Sequence, residues 1–221
     1  MKNPVIAVQD RSQQRPHWQF LAKRVLDYGG VGLGLLLLAP VLLIISLLIY
    51  IDSPGPVFFR QERKGLSGRT FRLWKFRTME VNAEARLHEL EALNECEGGV
   101  LFKLKSDPRV TRIGRILRST SLDELPQLFN VLQGQMSLVG PRPLQLRDCE
   151  RAFKFDHQAF EQRLTVLPGI TGPWQIAGRS NLNFEQMLKL DCDYIEQWSL
   201  PLDLTILLNT LPAVLKRSGA Y

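Results

Sequence analysis

Val31 to Ile51 reads VGLGLLLLAPVLLIISLLIYI, a run without a charge and with a proline near its middle. Its length is that of a membrane segment, roughly 20 apolar residues for about 30 Å of hydrocarbon. Pro40 has no N–H to give, and its ring crowds the carbonyl of Leu36, so a helix here is expected to kink or break. Lys23 and Arg24 precede the run, and Arg60, Arg63 and Lys64 follow it. Positive charge stays on the cytoplasmic side, so basic residues at both ends favour a re-entrant helix broken at Pro40 over a span. The run begins too late and is too long for a secretory signal, and no small-x-small cleavage site follows it. Residues 1–20 are polar and proline-interrupted and read as a flexible tail, with Trp18 and Phe20 suited to the head-group layer. The expected division is therefore tail 1–20, re-entrant membrane helix 21–52 and cytoplasmic domain 53–221.

Beyond the turn chemistry of SPGP at 53–56, Val57–Arg63 and Thr70–Thr78 alternate as two strands of a hairpin, with Lys64 to Gly68 as the turn. Phe71, Leu73 and Lys75 share one face; Arg72, Trp74 and Phe76 share the other. Ala83, Leu87, Leu90 and Leu93 recur at helical spacing and predict a helix over Glu80–Glu95. Further helices are expected over Arg109–Arg118, Ser119–Leu132, Leu146–Leu164 and Asn183–Trp198. Gly140-Pro141-Arg142-Pro143 reads as a stiff loop and 167–179 as a long structured one. Leu200–Leu215 is apolar on much of its circumference but carries Asp203 and Asn209, which suits an interfacial amphipathic helix or a core helix. No internal repeat is present. The class is α+β, helix-rich, with a small β-hairpin and a membrane helix.

Charge narrows the partners. The 221 residues carry a net charge of +6, and basic proteins seek phosphate. The apolar run favours lipid head groups and soluble phosphates over nucleic acid. Cys96, Cys149 and Cys192 lack CxxC spacing and read as free cytoplasmic thiols. His17, His88 and His157 are isolated, so no zinc site is suggested. Positive charge concentrates in 60–77 and again in 103–118, where Arg109, Arg112, Arg115 and Arg118 recur every third residue. Arginine's planar fork matches phosphate oxygens, though a solvated basic face or a contact with anionic lipid fits the same pattern.

The second basic stretch runs into Ser119-Thr120-Ser121-Leu122-Asp123-Glu124-Leu125-Pro126. Ser121 and Glu124 match a capping box. Pro126, however, fits better in the first turn of a helix capped by Asp123. In that register the helix N-terminus lowers the carboxylate's pKa and favours phosphate nearby. An ionised aspartate beside arginines and a phosphate can serve as a nucleophile or a Mg²⁺ ligand; a purely structural cap is the alternative. A glycosidase pair is disfavoured, because those carboxylates flank a bond from opposite sides.

LRSTSLDELPQLFNVLQGQMSLVGPRP (117–143) resembles the signature of the bacterial sugar transferases, the monotopic phosphoglycosyl transferases. The resemblance extends to KRVLDYGG, GPVFFRQERKG, FRLWKFRTM, DPRVTRIGR, LPGITGPWQIAGR and LDCDYIEQWSLPLDLTILLNTLPAVL, from about Lys23 to the end. It implies transfer of sugar-1-phosphate from a UDP-sugar to a polyprenyl phosphate such as undecaprenyl phosphate, with release of UMP. The reaction would take place at the inner leaflet of the bacterial cytoplasmic membrane and begin exopolysaccharide, capsule or O-antigen assembly. It implies Mg²⁺, Asp123 as the nucleophile that forms a phosphosugar-aspartyl intermediate and ligates the metal, and Glu124 as its partner carboxylate. By family position Lys75, Arg77, Arg118 and Arg142 are phosphate or nucleotide ligands, and Arg179 and Asp191 match motif positions. The resemblance also implies a helix that dips into one leaflet and returns. The chain is expected to be the minimal, exopolysaccharide-type form, without the block of membrane helices that precedes the domain in some relatives. Association through membrane helices into a homo-oligomer is plausible. Three positions depart from the family: Gln135 stands for an aspartate, Ala39 for the serine before the proline, and Asp193 for an aromatic residue. A membrane-bound scaffold that kept the fold without turnover is the alternative reading.

Overall fold

The computed structural model describes residues 16–90, 104, 106–178 and 182–215. Helix α1 (His17–Asp52) is 36 residues long, about 54 Å at 1.5 Å per residue. It begins inside what the sequence suggests is a loose tail; residues 1–15 lie outside the described residues. Pro40 sits within it, and the expected break is not an interruption: helix continues on both sides. Proline deletes one N–H, and an apolar stretch offers the neighbouring backbone groups no better partner than the helix itself.

One face of α1 rests on the domain. Val31, Leu35 and Leu38 pack against Phe71, Leu73, Val131 and Met136. Further along, Leu42, Ile45 and Ile49 pack against Phe76 and Leu117. The opposite face, with Leu33, Leu36, Leu37, Leu43, Ile44 and Leu47, is exposed. Polar contacts hold both ends to the same domain. Lys23 Nζ donates to Asp203 Oδ2 (2.6 Å) and to the Val139 carbonyl (3.0 Å). Asp27 Oδ1 accepts from Ser137 Oγ and from Leu138 N–H. At the other end Asp52 Oδ2 accepts from Ile113 N–H at 2.9 Å.

The hairpin forms as expected, with ends shifted by one or two residues: β1 (Phe58–Lys64) pairs antiparallel with β2 (Thr70–Phe76), Phe58 opposite Phe76. Ser67 (φ +53°) and Gly68 (φ +71°) turn the chain between them. The helix expected over Glu80–Glu95 is largely absent among the described residues. Turns bonded from Glu80 O to Ala83 N and from Glu84 O to Leu87 N lead into the short α2 (Leu87–Leu90). The Ala83 carbonyl accepts instead from Arg109 Nη1, and residues 91–103 lie outside the described residues.

Helix α3 (Arg112–Thr120) is capped by Thr111, whose hydroxyl accepts from Gly114 N–H. A Cβ on Gly114 would lie 2.0 Å from the Thr78 carbonyl oxygen, so only glycine lets α3 press onto the end of the hairpin. A 3-10 turn (Leu122–Gln127) leads into α4 (Leu128–Leu132). Two strands the sequence did not suggest lie just before the 140–143 loop and within the 167–179 loop. Strand β3 (Ser137–Val139) runs parallel to β4 (Gly169–Thr171). Gly140 and Gly169 make the approach possible, since a Cβ on Gly169 would fall 2.1 Å from Gly140 N. The predicted helix over 146–164 is two helices, α5 (Leu146–Phe155) and α6 (His157–Arg163), divided where Asp156 turns extended and caps Ala159 N–H. Short α7 (Pro173–Ala177) follows β4, and α8 (Phe184–Gln197) starts on a reciprocal Asn183–Gln186 capping box. Helix α9 (Leu200–Leu215) buries Asp203 completely against Lys23, Tyr194 and Trp198, while Leu204, Leu208 and Leu211 face outward.

Candidate active site

The site forms where the hairpin, α3, the 3-10 turn and the loop after β3 converge. Neither helix-cap register of the Asp-Glu segment is adopted. Ser121 takes the left-handed conformation (φ +58°) at the end of α3, and its side chain does not cap the following turn. The chain therefore reverses sharply, and Asp123 and Glu124 stand on the 3-10 turn with their carboxylates turned inward. Pro126 fits that turn because it lies outside regular α-helical bonding.

Strand β2 delivers Lys75, whose Nζ lies 2.8 Å from Glu124 Oε1 and 3.6 Å from Asp123 Oδ2. The loop after β3 delivers Arg142, which donates from Nη2 to Glu124 Oε1 at 2.8 Å and from Nη1 to Oε2 at 3.5 Å. Arg118 comes from the last turn of α3 and donates from Nε to Thr78 Oγ1 at 2.9 Å. Arg77, next to Thr78, donates to the Ser53 carbonyl. All of these residues line one cavity of about 780 Å³, a size suited to a nucleotide-sized ligand. Two motif positions are elsewhere or undescribed. Asp191 is fully buried on α8 outside the cavity wall, so it is not placed to touch a ligand. It accepts from Arg163 Nε at 2.9 Å, and Arg163 Nη2 donates to the Arg142 carbonyl at 2.7 Å. Asp191 thus supports the loop that carries Arg142. Arg179 lies outside the described residues.

The two carboxylates have opposite electrostatics. Burial pushes Asp123 above the ordinary carboxylate range; Lys75 pulls it down, Glu124 pushes it further up, and Arg118 and Arg142 pull it down. The lowered pKa expected from a helix N-terminus is therefore reversed. Burial also opposes ionisation of Glu124, but Arg142 and Lys75 outweigh it and hold that carboxyl well below its usual value. Arg63, buried at the cavity wall, is lowered to about 10 by burial and by the Arg142 charge.

Several cavity residues escape a reading of sequence alone. Arg63 donates to the Pro143 carbonyl at 3.1 Å and so braces the same loop. Asp107 and Arg109 form a buried pair at 2.6 Å, so the first arginine of the 109–118 stripe is not part of a solvated face. Asp148, Trp174 and Gln175 line the cavity from α5 and α7. Gln135 is absent from the wall: its Oε1 accepts from Asn130 Nδ2 at 2.7 Å, and Asn130 in turn bonds the backbone of Arg72 and Trp74. Asn130 fastens α4 to β2, and Gln135 bonds the amide that does so.

Among the described residues no group of three or more His, Cys, Asp or Glu side chains could hold a metal. Glu124 is occupied by Lys75 and Arg142, which leaves Asp123, with one contact at 3.6 Å, as the available oxygen donor. Mg²⁺ commonly takes one or two carboxylates and completes its shell with substrate phosphate and water. The donor set fits a metal that arrives with a diphosphate.

The family profile described as "Bacterial sugar transferase" matches residues 18–217. The chain belongs to the bacterial sugar transferase family. It is 45% identical over 201 residues to the "Galactosyl transferase CpsE" of Streptococcus agalactiae serotype III (strain NEM316), covering 90% of this chain and 43% of that protein. It is 41% identical over 206 residues to the "UDP-glucose:undecaprenyl-phosphate glucose-1-phosphate transferase" of Caulobacter vibrioides (strain ATCC 19089 / CIP 103742 / CB 15), covering 91% and 72%. With the "Exopolysaccharide production protein ExoY" of Rhizobium meliloti (strain 1021) it shares 39% over 204 residues, covering 91% and 88%. The chain thus spans less than half of the streptococcal relative and most of the rhizobial one. In this sugar transferase the matched region contains every cavity-lining residue and all of α1 but its first residue, His17.

Proposed function

We propose that this bacterial sugar transferase moves sugar-1-phosphate from a UDP-sugar to undecaprenyl or a related polyprenyl phosphate. The observation that carries the reading is Asp123, buried in the cavity between Lys75 and the Arg118 and Arg142 cations, with Glu124 tied up as their counter-charge. An Asp123 carboxylate oxygen attacks the phosphorus bonded to the sugar; the bond to UMP breaks and UMP leaves with the electron pair. A phosphate oxygen of the lipid then attacks the same phosphorus, and Asp123 departs as a carboxylate. Lys75, Arg118 and Arg142 stand where charge accumulates on the phosphoryl oxygens. Mg²⁺, held by Asp123 and the diphosphate, would neutralise further charge. The name of the Caulobacter relative describes such a transfer, and the ExoY name supports a part in exopolysaccharide production.

The same reading places α1 as a helix that enters one leaflet and returns to the cytoplasmic face. Its support is that Lys23, Asp27 and Asp52, near the two ends of α1, all bond to one domain. The test is UMP release from UDP-sugars with Mg²⁺ and polyprenyl phosphate. Asp123→Asn is expected to lower release at least about a thousandfold. Release from the asparagine variant equal to that of the unaltered protein rejects the nucleophile. No release from the unaltered protein with any common UDP-sugar rejects the enzyme.

A further inference from the structure

The cavity has a lobe that the phosphate chemistry does not use. It opens beside Arg142, whose guanidinium carbon lies 5.5 Å from the centre of the Trp174 ring while its Nη2 holds Glu124 at 2.8 Å. Leu144, Trp174 and Met187 belong to one packed cluster and also line the cavity, so the lobe has a firm apolar wall. Three residues of the lining each carry a buried polar atom with no hydrogen-bond partner. The atoms are Asp148 Oδ1, Trp174 Nε1 and Gln175 Oε1. Their residues are 3%, 7% and 7% exposed. Arg147 Nε lies 3.2 Å from Asp148 Oδ1, an ion pair without hydrogen-bond alignment. The Gln175 amide is oriented by its nitrogen, which donates to the Ile170 carbonyl at 3.4 Å and leaves the oxygen as the unpaired atom. Buried polar groups in folded proteins are nearly always bonded, so three orphans on residues lining one cavity indicate groups that a ligand supplies.

We infer that this lobe receives the sugar ring of the donor, and that Asp148, Trp174 and Gln175 read its hydroxyl groups. The inference rests on the transferase reading above. Two arguments select the sugar over the uridine. The first is connectivity: the sugar is bonded directly to the transferred phosphate, and the lobe adjoins the arginine that flanks Asp123 and Glu124. The second is chemistry. A uracil edge presents two carbonyl acceptors around one N–H and calls for two donors and one acceptor. The lobe offers the inverse, two acceptors and one donor, which suits hydroxyls that donate as readily as they accept. Hydroxyl readout by buried polar groups discriminates strongly, because a donor with a misplaced hydroxyl leaves those groups unpaired.

The experiment compares Asp148→Asn, Trp174→Phe and Gln175→Glu with the unaltered protein. Two quantities are measured: kcat/KM for UMP release from UDP-glucose and from its 4-epimer UDP-galactose, and the dissociation constant of UMP alone. The variants are expected to lose about 10- to 100-fold in kcat/KM for the preferred donor and to change the ratio between epimers. UMP binding should stay within about twofold, which also reports an intact fold. Trp174→Phe removes the N–H together with the five-membered ring, so the UMP dissociation constant is what separates lost readout from lost packing. UMP binding weakened as much as donor use would assign the lobe to uridine and overturn the inference. An unchanged epimer ratio across all three variants would overturn it as well. An unaltered protein that releases no UMP from any UDP-sugar brings down the transferase reading, and this one with it.

Discussion

Asp123 and Glu124 are adjacent, yet burial raises the first while Arg142 and Lys75 depress the second. Glu124 remains charged at any working pH and keeps the two cations in place. On the proposed mechanism Asp123 carries the titration that matters, since only its ionised form can attack. The acid limb of UMP release in a single turnover is therefore expected above the ordinary aspartate range of about 4. Two substitutions should move it in opposite directions. Lys75→Met removes the largest charge that stabilises ionised Asp123, so the limb should rise in pH. Glu124→Gln removes a neighbouring negative charge, so the limb should fall. A pH–rate series on both variants checks the signs, and shifts in the same direction would rule out this electrostatic account. The Asp-Glu pair and its cations were legible as residue types near one another in a basic chain. Their acid strengths were not, because they depend on burial by β2 and on Arg142, 18 residues further along.

Elements explain how a loop can hold a phosphate clamp steady. Arg142 sits after β3, whose parallel pairing with β4 fixes the start of the loop, and Arg63 and Arg163 bond the Pro143 and Arg142 carbonyls beneath it. Arg163 is itself fixed by Asp191 inside the α6–α8 contact. Asp191→Asn would leave a buried guanidinium without its counter-charge, a loss of about 3–5 kcal/mol in such settings. The denaturation midpoint of the detergent-solubilised protein should fall accordingly. UMP release should fall too, while the acid limb should stay in place because Asp191 does not touch Asp123. A shifted limb would show that Asp191 acts on the carboxylates directly. Motif position placed Asp191 among the ligands; only the packing reveals that it works two residues removed, through Arg163 and the Arg142 carbonyl. Local patterns served better where local forces decide. The hairpin was legible from alternation, and the helix expected over Asn183–Trp198 forms as α8. The expected helix was misread over residues 80–86, because Arg109, far along the chain, takes the Ala83 carbonyl. The β3–β4 pair was invisible because each strand has three residues and depends on glycines meeting across about 30 residues of chain.

At the scale of the molecule, α1 poses a problem of length and of sidedness. A straight span needs about 30 Å of helix, and α1 has about 54 Å. The surplus alone could be tilt. Lys23 and Asp27 bond to β3, α9 and the backbone between β3 and its loop, while Asp52 bonds to α3. Those partners belong to one folded body, so a bilayer cannot separate the two ends without breaking one set of contacts. In the proposed re-entrant arrangement, the exposed apolar face between them, from Leu33 to Leu47, is what enters the lipid. A bacterium carrying a cysteine-reactive tag at residue 2, or in a second strain after residue 60, should show both tags protected from an impermeant reagent in intact cells and both labelled after lysis. Labelling of only one tag in intact cells would place the ends on opposite sides and sink the re-entrant arrangement. Lys23→Leu refines the result. It removes the ion pair that fastens the early part of α1 to Asp203 and leaves a buried carboxylate behind. If that fastening, rather than the helix alone, keeps the early part of α1 at the cytoplasmic face, the residue 2 tag of this variant should become partly reactive in intact cells while the tag after residue 60 stays protected.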